Sequence, residues 1–214
     1  ADKATVIDPP ITSFTKAYLR YKLNNTTFIV GEKPLNLDTQ RFIGSVGWRQ
    51  TPQTFGMLSV KQQVSSKFSV LAAMLYRRNG IKPELDKQYK QGNGVLHAEY
   101  AHSDTLKLTS YAYLLEDTHN TCGANVEGKV NAAATDVSYL AEYAIQQDAI
   151  IKDGTATNID SSYYNIEVGA KFGPVFSKVG YEVFGDKGDG AKGFSTPLAT
   201  LHKFNGWSDV LLGH

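Results

Sequence analysis

The run Tyr164-Asn165-Ile166-Glu167-Val168-Gly169-Ala170-Lys171-Phe172, then Gly173-Pro174, then Val175-Phe176-Ser177-Lys178-Val179-Gly180-Tyr181-Glu182-Val183, alternates polar and apolar residues with a period of two. Successive side chains of an extended strand point to opposite faces. Asn165, Glu167, Gly169 and Lys171 therefore share one face, and Tyr164, Ile166, Val168, Ala170 and Phe172 the other. The second run sets Lys178, Gly180 and Glu182 against Val179, Tyr181 and Val183, and the Gly-Pro step between the runs is a turn signal. The segment reads as a β-hairpin with one polar and one apolar face.

The same alternation recurs outward from this hairpin. Residues 16–23 place Lys16, Tyr18, Arg20 and Lys22 opposite Ala17, Leu19, Tyr21 and Leu23. Residues 121–131 place Thr121, Gly123, Asn125, Glu127 and Lys129 opposite Cys122, Ala124, Val126, Gly128 and Val130. Ser138, Glu142 and Gln146 oppose Val137, Tyr139, Ala141, Tyr143 and Ile145, with Leu140 interrupting the polar face. Less regular strand candidates cover 26–36, 55–64, 67–77, 94–102 and 105–116, which makes about ten strands. Asn24-Asn25, Ser65-Ser66, Ser103-Asp104 and Gly173-Pro174 are short turns, whereas 79–93, 148–162 and 185–193 read as longer polar loops. A short helix fits within 200–212.

Short turns alternating with long loops suit an antiparallel up-and-down barrel with one smooth and one elaborated rim, the pattern of outer-membrane barrels. Alternation alone leaves the inside face open: a soluble barrel hides its apolar set, and a membrane barrel turns it outward. The polar faces mix charges with Gly123, Gly169, Gly180, Asn165 and Ser138, and the apolar faces set tyrosines beside small residues. That composition favours a transmembrane β-barrel, with a soluble or periplasmic antiparallel barrel binding a small apolar ligand as the alternative.

The chain has 214 residues, a net charge of +1, 42% hydrophobic and 11% aromatic residues. Apolar content of that order supports a folded domain and excludes a disordered tail, and the charge balance gives no basis for a nucleic-acid partner. One domain over 1–214 is the expectation. The longest apolar run, 70–76, is far shorter than the roughly 20 residues of a membrane-spanning helix. A lone Cys122 on an apolar face is a packing residue and permits no internal disulfide.

Two stretches carry a family resemblance. DTQRFIGSVGWRQTPQTF, residues 38–55, resembles the signature loop of the alginate-export family of bacterial outer-membrane porins, which follows a strand ending and opens the next strand with Gln-Thr-Phe. KGFSTPLATLHKFNGWSD, residues 192–209, resembles a second block that family members carry after a long loop. Residues 111–115, 141–144 and 180–183 are also similar to family strands. The resemblance implies a porin for passive diffusion of a polar or anionic solute, an oligosaccharide or uronate among the candidates, with membrane lipid or detergent as its surroundings and the bacterial outer membrane as its location. Three departures stand against it. Gly31-Glu32-Lys33 puts an acid where members often carry arginine, family barrels have more strands than ten, and an aromatic-terminated final strand is missing before His214. The expectation is a shortened relative or a piece of a larger barrel, with 38–54 and 185–214 as its signature loops.

On the five clearest strands the polar faces carry six basic residues, Lys16, Arg20, Lys22, Lys129, Lys171 and Lys178, against four acids, Glu127, Glu142, Glu167 and Glu182. A pore wall with excess positive charge attracts anions; mutually paired wall charges are the alternative. Arg41 and Arg49 lie in the first signature loop with Gly44, Gly47 and Trp48. As the resemblance implies, a loop folded into the lumen would let both guanidinium groups bind carboxylates bidentately, or tie the loop to wall acids. Trp48, His202 and Trp207 are candidate loop anchors, and Lys203 a further loop cation. Enzyme chemistry has no support: His97 and Glu99 share a strand face with His102 opposite, Asp186-Lys187-Gly188-Asp189-Gly190 lacks the other ligands of a calcium loop, and neither a nucleophile elbow nor a nucleotide-binding fingerprint occurs. No catalytic residue, metal ligand or cofactor is expected.

Overall fold

The computed structural model describes residues 12, 14–132, 135–151, 159–186, 193–200 and 202–205. Ten strands follow one another: β1 (Ala17–Leu23), β2 (Thr26–Lys33), β3 (Thr54–Gln63), β4 (Phe68–Asn79), β5 (Lys87–Ser103), β6 (Leu106–Leu115), β7 (His119–Ala132), β8 (Thr135–Gln147), β9 (Asp160–Phe172) and β10 (Val175–Phe184). Each pairs antiparallel with the next in a single sheet ordered β1 to β10. Among the described residues β1 pairs only with β2 and β10 only with β9, so both present a strand edge.

Chemistry at the turns fixes the hairpins. Asn24 takes φ 50° between β1 and β2, and Gly173 takes φ 57° between β9 and β10, the left-handed conformation that two-residue hairpin loops require. These turns and those at 64–67 and 104–105 lie at one end of the sheet, and the longer connections 34–53, 80–86 and 148–159 at the other. The region expected as a loop over 79–93 is mostly strand: β4 runs to Asn79 and β5 starts at Lys87, leaving a seven-residue link with one 3-10 turn at Pro83–Leu85. The buried Glu116 carboxylate accepts the backbone N–H groups of Lys90, Gln91 and Gly92, and Gly92 at φ 82° permits the register shift between β4 and β5. A side chain from the neighbouring connection thus organises a polar run that carries no alternation of its own.

Burial settles the polarity that sequence leaves open. Leu19, Val30, Leu58, Leu96, Leu108, Ile166, Val168 and Val179 face outward and are exposed, whereas Thr109, His97, Asn125, Glu142 and Asn165 face inward and are buried. Exposed rings cluster outward near the turn end at Tyr21, Phe28, Tyr100 and Phe172 and near the loop end at Tyr143, Tyr164 and Tyr181. A soluble barrel requires the reverse polarity, and an apolar outer band flanked by aromatics is the surface that lipid selects. The buried apolar core lies inside, where Leu37, Phe42 and Ile43 of the 34–53 loop pack on Met57, Leu75, Val95, Tyr111, Tyr113 and Tyr163 of the wall.

Candidate functional site: an interior loop over a charged wall

The loop between β2 and β3 enters the sheet's concave side by a strained path. Asp38, Gln40 and Val46 all take positive φ, 48°, 69° and 49°, and the β-branched Val46 is the most costly of these. The loop is held in that shape from several directions. The amide of Gln53 donates to Gly44 O (2.7 Å) and Leu198 O (3.0 Å), and Ser45 N donates to the Asn36 side chain (2.7 Å). Gly44 N donates to Leu198 O (2.9 Å), Val46 N to Thr200 Oγ1 (3.1 Å) and Thr200 N to Gln40 O (3.1 Å). The two sequence blocks 38–55 and 192–209 therefore meet, with Ile43 and Leu198 forming a parallel bridge. Gly44 is required there, since a Cβ would lie 2.1 Å from Thr200 Oγ1.

Phe42 occupies an aromatic cage: its ring lies 5.2 Å from Tyr111, 5.3 Å from Tyr163 and 5.8 Å from Phe194. Beside it, Arg41 donates from Nε and Nη2 to the two carboxylate oxygens of Glu182, both at 2.7 Å. The guanidinium also stacks on Phe184 (4.5 Å) and Phe204 (4.6 Å), and the Tyr163 hydroxyl donates to Glu182 Oε1 (2.8 Å). Asp38 lies 2.9 Å from His97 Nε2 on the wall. The second block is fastened by Gln146, whose amide donates to Ser195 O (2.6 Å) and accepts from Ser195 N (2.9 Å). Lys203, in the short helix α1 (His202–Asn205), donates to Thr39 O (2.8 Å); burial, and then the Lys178 charge, hold its ammonium below the usual lysine range.

Toward the turn end the interior opens into a cavity of about 720 Å³, with Thr39 from the loop and Ser103, Lys107, Glu127, Lys129, Ser138, Glu167 and Lys178 from the wall. Lys107 bridges Glu99 (3.4 Å) and Glu127 (2.5 Å), and Lys178 pairs with Glu167 (2.8 Å). Asp104 lines the same cavity, so three lysines face three carboxylates there; Lys129, whose backbone N–H donates to Asp104 O, is the one of these lysines that makes no ion pair among the described residues.

The residues singled out in the sequence are spread over this interior. Arg20 and Lys22 lie on the inward face of β1 at the sheet edge, and Lys171 sits opposite Asp136 near the turns. Lys129 and Lys178 share the cavity; Arg41 is engaged by Glu182 at the loop end. Arg49, half-buried, stacks on Trp48 at 4.0 Å, and Trp48 is 46% exposed. His202 belongs to α1, and Trp207 lies outside the described residues. Phe42, Lys107, Tyr163 and the Asp38–His97 pair were not anticipated. Lys107 had a signal, because Lys107, Thr109, Tyr111 and Tyr113 alternate with Leu106, Leu108, Ala112 and Leu114; tyrosines on the polar face masked it.

A sheet of sequential antiparallel strands, apolar outside and charged inside, with a loop folded onto its inner face, has the architecture of an outer-membrane porin wall. No family model and no curated sequence matches the chain. Solved structures do. The chain is similar to Pseudomonas aeruginosa OccK2 (OpdF) in complex with glucuronate, at 13% identity and a TM-score of 0.67 over 77% of this chain and 46% of that one. It is similar to the P. aeruginosa outer-membrane protein OpdK, also solved with vanillate, at 17% identity and 0.65 over 77% and 46%. A BenF-like porin from Pseudomonas fluorescens Pf-5 matches at 15% identity and 0.67 over 75% and 43%. At these identities the likeness is one of fold, a porin β-barrel fold. The chain spans less than half the length of each of these proteins.

Proposed function

We propose that the chain forms wall and constriction of a bacterial outer-membrane channel for passive diffusion of small anionic solutes, and that it is not an enzyme. The observation that carries this reading is the inverted polarity of the sheet: exposed Leu, Ile and Val outside, and inside an open cavity lined by charged and polar groups, with Lys129 free of ion pairs among the described residues. Fixed positive charge between low-dielectric walls concentrates anions. Residues 1–214 act as one barrel domain or part of one, and the surrounding partner is membrane lipid.

The solute class follows from the mixed character of the cavity. Lys129, which makes no ion pair among the described residues, suits a carboxylate, while Ser103, Ser138, Glu127 and Glu167 suit sugar hydroxyls, so a uronate or short uronate oligosaccharide fits the cavity. The glucuronate bound to OccK2 and the vanillate bound to OpdK are both small carboxylates, which supports an anionic solute, and a uronate accords with the alginate-export resemblance of the two interior blocks. Lys129 and Lys178 act as anion-facing wall groups, with Lys171, Arg20 and Lys22 extending the basic surface, while Arg41 tethers the loop and Arg49 stacks on Trp48 within it.

Conductance of the chain reconstituted in planar lipid bilayers tests the proposal. The expected result is anion preference in a salt gradient, reduced in Lys129→Ala, with glucuronate blocking more strongly than glucose. Cation preference, or selectivity unchanged in Lys129→Ala, overturns the assignment.

A further inference from the structure

One row of residues across the inner wall has an uneven set of partners. Glu99 of β5 is opposite Thr109 of β6, which is opposite Asn125 of β7, then Glu142 of β8, Asn165 of β9 and Glu182 of β10. Of the three carboxylates in this row, Glu99 has the Lys107 ammonium at 3.4 Å and Glu182 has the Arg41 guanidinium at 2.7 Å. Glu142 instead has no basic partner: the Tyr111 hydroxyl donates to its Oε1 at 2.8 Å, and the Asn125 amide lies beside it. Tyr111 reaches it by crossing β7 at Gly123, where a Cβ would lie 2.5 Å from the ring.

Three oxygens of the row are then left over. Glu142 Oε2, Asn125 Oδ1 and Thr109 Oγ1 are all sealed from solvent with no hydrogen-bond partner among the described residues. Their residues are 5%, 6% and 3% exposed. Buried polar atoms are nearly always matched, and a carboxylate oxygen is the most costly kind to leave unmatched. Here the unmatched atoms fall on three consecutive strands at directly opposed positions, and two of them, a carboxylate and an amide oxygen, are acceptors.

We propose that Glu142 Oε2, Asn125 Oδ1 and Thr109 Oγ1 form a binding site for a small hard cation, sodium or calcium, set into the wall between β6, β7 and β8. The donor set is oxygen only, which suits hard cations, whereas zinc and copper sites favour nitrogen or sulfur ligands. The carboxylate supplies the charge, and the amide and hydroxyl supply neutral ligands. A cation there does for Glu142 what Lys107 does for Glu99 and Arg41 for Glu182, and it ties three strands together beneath the interior loop. This site goes beyond the transport reading, since it is a feature of the wall whether or not the chain conducts.

Thermal unfolding of the whole chain in detergent micelles provides the test, comparing sodium chloride, calcium chloride and choline chloride at equal ionic strength and pH. With sodium or calcium at about ten times its dissociation constant, the midpoint is expected to exceed that in choline by about 3–6 °C. The difference is expected to vanish in Glu142→Gln, which keeps an acceptor for Tyr111, and in Thr109→Val, which keeps the shape and removes one ligand. Should Glu142→Gln not fold, Thr109→Val alone decides. Equal midpoints in all three salts overturn the site, as does a shift that survives the substitutions. Conductance does not enter the readout, so this result and that of the bilayer experiment are independent.

Discussion

Arg41 concentrates the logic of the interior in one side chain. Its side chain is 6% exposed, which would be a severe penalty for an unpaired charge, and the bidentate Glu182 contact between two aromatic rings offsets it. Glu182 is more open, at 29%, so the pair lies between the surface and fully buried cases. Arg41→Ala is therefore expected to destabilise the fold by about 2–4 kcal/mol in denaturant titrations. Glu182→Gln, which strands the arginine, should cost a similar amount, and the double variant much less than the two combined. Strict additivity would show that the pair does not hold the loop. Arg41 stood out in the sequence because it lies in a long motif beside glycines. Its partner did not, because Glu182 is 141 positions away and looks locally like any other charge on a polar strand face.

At the scale of elements, strands were legible where one face is polar and the other apolar, as in β1, β7, β9 and β10, because the two environments impose a period of two. Legibility failed where a distant side chain replaces that pressure. The start of β5 is a polar run whose backbone is ordered by Glu116, and the docking of residues 38–46 on 196–200 is a main-chain contact with no periodic trace. That docking rests on the absence of a side chain at Gly44. Gly44→Val should push Thr200 and Gln40 away, break the Gly44–Leu198 and Val46–Thr200 bonds, and cost about 1–3 kcal/mol by overpacking. Limited proteolysis checks this: cleavage within 38–50 should rise sharply in Gly44→Val, while the strands stay protected. Unchanged cleavage would mean that the two segments hold their places without each other.

For the molecule as a whole, the decisive property is which face of the sheet meets the surroundings, and the alternation that revealed the strands was symmetric on that point. The asymmetry comes from where Phe42 and its neighbours pack: with the loop on the polar side, the apolar side is left outside. Two substitutions separate a lipid-facing wall from a water-facing one. Ile166, at the middle of β9 and 54% exposed, points outward, and Ser138 on β8 points into the open cavity. If lipid covers the outer face, Ile166→Arg places a charge near the bilayer centre and should cost about 2–4 kcal/mol in folding from urea into lipid vesicles. Ser138→Lys adds a charge of the same sign on the wet side and should change stability by no more than about 0.5 kcal/mol. In water the order would differ, because replacing an exposed isoleucine with arginine is close to neutral there. A neutral Ile166→Arg in vesicles would therefore remove the membrane assignment, and with it the reading of Lys129 and Lys178 as pore charges.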